Sequence, residues 1–169
     1  MNNPEVWLRG PITNISPYLQ PAAHALLQVS EDLPALFQDF PETLLHDKVL
    51  GKASVAFHLK HLTGVLDRMM SYAQEKSLSE KQFQFLKNEK EQFAEDHAQL
   101  LISQFQEKVQ EALRYFTSLK DADLTSFRAV GRQKLPSSLL GLLFHAAEHA
   151  QRHYGQLLLT VTFLKAQKP

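Results

Sequence analysis

Four long stretches of this chain repeat their apolar residues at the spacing of an α-helix, with few strong breakers inside them. That pattern constrains the fold more than any other feature. The first stretch runs from about Ser16 to Phe40, where Leu19, Ala22, Ala23, Leu26, Leu33, Phe37 and Phe40 recur on one face. Pro34 lies inside it, removes one backbone donor, and predicts a kink or a restart after Ser30. The second runs from about Lys52 to Glu75, with Val55, Leu59, Leu62, Leu66, Met69, Met70 and Ala73 as its apolar face and Gly51 and Ser54 marking its start. Ser79–Glu80–Lys81–Gln82 then has the spacing of a capping box, which predicts a short helix or the start of the next. The third stretch, about Lys87 to Leu119, carries Phe93, His97, Leu100, Leu101, Phe105, Val109, Ala112, Leu113 and Phe116. The fourth starts at Pro136, a residue suited to the first helical position, and continues to about Lys165, or roughly 45 Å. Between them, Lys120 to Leu135 reads as the longest irregular connection, and long loops are often functional. Four such helices predict an all-α four-helix bundle, a single domain over residues 1–169.

Composition narrows what such a bundle does. Lysine plus arginine equal aspartate plus glutamate at 18 each, which argues against nucleic acid as a partner. Cysteine is absent, so disulfides, thiolate nucleophiles, cysteine-ligated zinc and iron–sulfur clusters are excluded. Any transition metal must be held by imidazole and carboxylate. No stretch reaches the ~18 apolar residues of a membrane span. The richest window, Leu139 to Leu159, is interrupted by three histidines, Glu148 and Arg152. Met1 to Gly10 carries Glu5 and Arg9 and no apolar run of signal length, so a soluble cytoplasmic protein without membrane partners is expected. Dinucleotide-binding, phosphate-loop and nucleophile-elbow motifs are missing.

Five of the 8 histidines fall in two groups. His58 and His61 lie three apart on the second helix; His145, His149 and His153 follow each other at four-residue spacing on the fourth. Side chains four apart on a helix lie about 6 Å apart along the axis and on one face. Two such imidazoles converge on one ion, whereas three in succession span too long an arc. A pair from the fourth helix with one histidine from a facing helix is the comfortable solution. His24, His46 and His97 read as ordinary surface or hydrogen-bonded residues, with His97, on an apolar stripe, able to line a pocket.

The run His149-Ala-Gln-Arg-His153-Tyr-Gly155-Gln156 resembles the H-x-x-x-H-x-G-Q signature of the DinB/YfiT-like superfamily of helical bundles, and His58-Leu-Lys-His61-Leu is similar to its H-L-x-H-L segment. The resemblance covers essentially the whole chain. It implies an up-up-down-down bundle and a three-histidine metal site with open positions, commonly holding zinc or nickel. Matched position by position, the ligands would be His61, His149 and His153. Gln156 matches the glutamine of the motif and shares the ligand face, a candidate hydrogen-bonding partner near the site. His58 and His145 match no obligatory position and read first as polar residues at the bundle mouth, second as donors around the ligands. Glu148 points away from His149 and reads as a carboxylate orienting a ligand from outside.

The same resemblance implies two catalytic themes on a small-molecule substrate: metal-dependent hydrolysis, and transfer or isomerisation with a low-molecular-weight thiol. Without cysteine, the thiol must arrive as a cosubstrate. Arg128, Arg132 and Lys134 suggest a loop that covers one end of the site and attracts an anionic substrate, although a solvated loop is the plainer reading. The alternative function is a non-enzymatic metal-binding bundle with an assembly or stress-response role. A fourth protein ligand, with His58, His97 and His145 as candidates, would favour it. Family members often pair as homodimers, for which an exposed apolar strip is the sign.

Overall fold

The structure, a computed structural model, describes residues 4–167; residues 1–3 and 168–169 of the expected domain lie outside the described residues. Five helices carry it: α1 (Gln20–Leu36), α2 (Val55–Ala73), α3 (Glu80–Asn88), α4 (Ala98–Thr117) and α5 (Leu139–Ala166). The four long ones form the bundle, in which α5 and α4 each pack against both α1 and α2. Their inward faces, among them Leu26, Leu33, Leu59, Leu66, Ile102, Phe105, Phe116, Leu143 and Leu157, join in one continuous apolar core. No helix among the described residues is long and apolar enough to cross a membrane.

Helix starts follow local chemistry. Ser54 caps α2 by accepting from Phe57 N, and Ser138 caps α5 by accepting from Gly141 N. Ser79 and Gln82 form the expected capping box at the head of α3.

Cross-helix hydrogen bonds fix the directions. Gln151 reaches Ala25 O and Lys165 reaches Gln38 O, so α5 runs parallel to α1. Tyr115 reaches Ala73 O and Lys108 pairs with Asp67, so α4 runs parallel to α2. Gln106 bonds Ser30 O and Ala98 N bonds Glu42, which makes α4 antiparallel to α1. The order is therefore up-down-down-up, not the expected up-up-down-down. The connection from α1 to α2 turns back at one end of the bundle, where Ala56 N bonds Leu45 O. Then α3 runs back along α2, so that α4 starts again beside the start of α2.

Three further expectations change. α1 does not restart after Ser30: Pro34 lies in its last turn, and Gln106 Nε2 donates 3.0 Å to Ser30 O, the carbonyl that Pro34 leaves unpaired. The third stretch does not begin at Lys87; α3 ends at Asn88 and α4 starts at Ala98, with His97 exposed at its N-cap rather than lining a pocket. The connection read as irregular holds an antiparallel hairpin, β1 (Phe127–Val130) with β2 (Leu135–Ser138). Pro136 belongs to that hairpin, and α5 begins after Ser138.

Candidate metal centre

Antiparallel packing of α2 and α5 sets His58 and His61 opposite His153 and His149. His61 Nε2 lies 3.0 Å from His149 Nε2. One ring nitrogen from each of His61, His149 and His153 lies within 4.8 Å of the other two. Ring centroids tell the same story, at 4.4 Å for His61 and His153 and 4.6 Å for His149 and His153. The three rings are partly buried, so the group sits in the wall of the bundle with one side toward solvent.

His58 is not a residue of the bundle mouth. It is buried at 4% exposure, and its Nδ1 lies 3.0 Å from Nδ1 of His153. With Nδ1 of His153 engaged there, Nε2 is the nitrogen left to face the cluster. His145 is different: its side chain is half exposed and its Nδ1 lies 2.8 Å from Glu148 Oε1. Glu148 also accepts from Arg152 at 2.6 Å. Burial alone raises the Glu148 carboxyl, but the hydrogen bonds and charges of Arg152 and His145 hold it below its ordinary value. His145, Glu148 and His149 also bring ligand atoms within 4.8 Å of one another. Gln156 is exposed, and its backbone carbonyl accepts from Thr160 Oγ1.

Burial and the crowding of rings keep His58, His149 and His153 uncharged at neutral pH. Desolvation lowers His153 to about 3 and His149 to about 4, with the charges of neighbouring imidazoles, His61 first, acting in the same direction. His58 falls to about 4 by burial and by the charge of His61. At neutral pH these rings therefore carry lone pairs and no charge, which is the form that binds a cation. Tetrahedral ligation at about 2.1 Å separates ligand nitrogens by about 3.4 Å, within the spread of this cluster. The donor set fits a divalent ion.

Residues outside the sequence motifs complete the surroundings. Glu89, just past the end of α3, is buried at 4% exposure; its Oε2 lies 2.7 Å from His61 Nδ1 and its Oε1 accepts from Arg68 Nη1 at 2.7 Å. Phe57 stacks on His61 with centroids 5.1 Å apart and planes within 15°. Gly64 sits beside Glu89: a Cβ there would meet Glu89 Oε1, with Arg68 Nη1 and Phe85 Cε1 each 2.8 Å away. Glu89 has no local sequence signature, because its contacts span 21 and 28 residues, whereas Phe57 lies four residues before His61 on the same helix.

The cationic loop lies elsewhere. Arg128 Nε donates to Ala73 O at the far end of α2, and its Nη1 to Ser126 Oγ. Ala73 is twelve residues from His61, about 18 Å along the helix, so the hairpin does not cover the histidines. Arg132 lies over the ring of Phe83, and with Lys134, Tyr72 and Phe127 it lines a separate cleft.

The sequence profile of the DinB superfamily matches residues 25–157. Among solved structures, the chain is similar to an uncharacterized protein from Clostridium difficile 630, at 13% identity and a TM-score of 0.64 over 90% of this chain and 97% of that one. That likeness concerns the fold alone. No curated protein matches.

Proposed function

The chain belongs to the DinB superfamily, and from that premise we propose that His61, His149 and His153 hold one divalent ion, zinc or nickel, at a centre serving small-molecule chemistry. The observation that carries this reading is the convergence of three imidazole nitrogens from two helices within 4.8 Å. Buried polar rings without partners are costly in a bundle wall, and a shared cation offsets that cost. Such an ion supplies Lewis acidity and lowers the pKa of a bound water or thiol.

The reaction classes that fit are hydrolysis and transfer of a low-molecular-weight thiol to an electrophile, the thiol being a cosubstrate because the chain has no cysteine. The chain's own residues hold and orient. His58 fixes the ring of His153 through Nδ1, and Phe57 holds the plane of His61. On the solvent side, His145, Glu148 and Arg152 form a charged rim that a polar substrate meets first. An open coordination position is supported by where the other histidines are. His58 turns its Nδ1 to His153, His97 is exposed at the head of α4, and His145 Nδ1 is engaged by Glu148. That arrangement favours catalysis over a closed structural ion.

The test loads the full chain with zinc or nickel and offers glutathione, bacillithiol or mycothiol with an electrophile, and separately a panel of small esters and amides. A rate above the metal-free control in one arm is expected. No rate in either arm overturns the catalytic reading and leaves a metal-binding bundle with an assembly role.

A further inference from the structure

Of residues 79–97, which comprise α3 and the segments flanking it, only Glu89 is buried. A carboxylate is the least favourable side chain to bury in such a place unless its oxygens are satisfied. Here both are, and by different partners: Oε1 by Arg68 Nη1 and Oε2 by His61 Nδ1, each at 2.7 Å. A tie between α3 and α2 needs only the first contact. The second is aimed at a ring whose other nitrogen faces the histidine cluster.

We propose that Glu89 is a positioning residue for His61, holding its ring with the proton on Nδ1 and the lone pair of Nε2 turned to the cluster. A carboxylate only accepts, so the 2.7 Å contact requires His61 Nδ1–H as the donor. With that one proton on Nδ1, Nε2 of His61 is left as an acceptor. His149 supplies an independent sign of the same arrangement. Among the described residues its Nδ1 is buried without a partner, while its Nε2 lies 3.0 Å from His61 Nε2. If His61 Nε2 accepts, His149 Nε2–H donates to it. Nδ1 of His149 then bears no proton, and no N–H is orphaned in the interior.

Gly64 belongs to the same device. Alanine at a helix interior is favoured over glycine. Yet a Cβ at position 64 would intrude on Glu89 Oε1, Arg68 Nη1 and Phe85 together. The glycine leaves room for the Arg68–Glu89 pair to lie against α2 within reach of His61.

The inference rests on the metal-centre reading only in its consequence for affinity; the tautomer itself is a property of the metal-free chain. Long-range nitrogen–proton NMR spectra of the metal-free protein, with His61 signals assigned by their loss in His61→Gln, read it directly. The expected result is His61 as the Nδ1–H form. Glu89→Gln keeps the shape but offers an amide: its oxygen pairs with Arg68 and its NH2 turns to His61 Nδ1. The proton then moves to Nε2. Zinc or nickel affinity, measured by chelator competition, should fall by about 10- to 100-fold with unchanged far-UV circular dichroism. His61 in the Nε2–H form in the native chain overturns the proposal, and that spectrum decides even if the variant does not fold. A tautomer unmoved by Glu89→Gln overturns it too. The Nδ1–H form in a native chain that takes up neither metal supports the positioning role and overturns the metal reading instead.

Discussion

His58 Nδ1 lies 3.0 Å from His153 Nδ1, so a buried histidine of α2 braces, from behind, a ring that α5 brings to the cluster. Removing the brace leaves the His153 ring free to turn. His58→Leu stays near the volume but loses the contact, and metal affinity should fall about 10-fold or more. Chelator competition measures it, and an affinity equal to that of the native chain would show that the contact orients nothing.

The depressed histidines make stability depend on pH in a definite direction. His58 and His149 titrate near 4 in the folded chain and His153 near 3, against about 6.5 unfolded. Between those values the unfolded chain binds more protons, so stability falls as pH drops from 6.5 toward 4 and is flat, as far as these groups go, above 7. Urea midpoints of the metal-free protein between pH 7.5 and 5, above the range where carboxylates take over, should show the fall. A midpoint that rises on acidification contradicts it.

Lys60 and Asp96 form an ion pair with both side chains at 6% exposure, and Lys60 Nζ also donates to Glu91 O. Asp96→Ala leaves a buried ammonium without its counter-charge. A loss of about 3–5 kcal/mol is expected, visible as a lower urea midpoint with an unchanged slope.

The hairpin cations should not matter to the centre. Arg132→Ala with Lys134→Ala alters residues that line the separate cleft beside Tyr72 and Glu75, not the histidine cluster. Metal affinity should stay within twofold of the native value in a titration. A large drop would restore the idea of a covering loop.

How much of this was legible in the sequence depends on the range of the interactions. Periodicity showed the four long helices, since an apolar stripe such as Leu59, Leu62 and Leu66 is a local record of a buried face. The histidine spacing showed which rings share a face. It did not show helix directions, which depend on how the connection after Phe40 turns back at Leu45. The stripe through Phe93 and His97 also misled, for the chain leaves helical geometry after Asn88 to bury Glu89 and to bring Asp96 to Lys60. These polar contacts join residues 21 to 36 positions apart and leave no periodic trace. The hairpin was hidden for another reason: its strands are four residues each, with no buried face to impose alternation.

One divalent ion held by His61, His149 and His153 is the proposal on which the rest depends. Elemental analysis of the native full chain after loading with zinc or nickel and extensive dialysis tests it most directly, beside the variant with all three histidines changed to alanine. About one ion per chain is expected in the native protein and essentially none in the variant. A variant that folds and keeps its full complement of metal would contradict it.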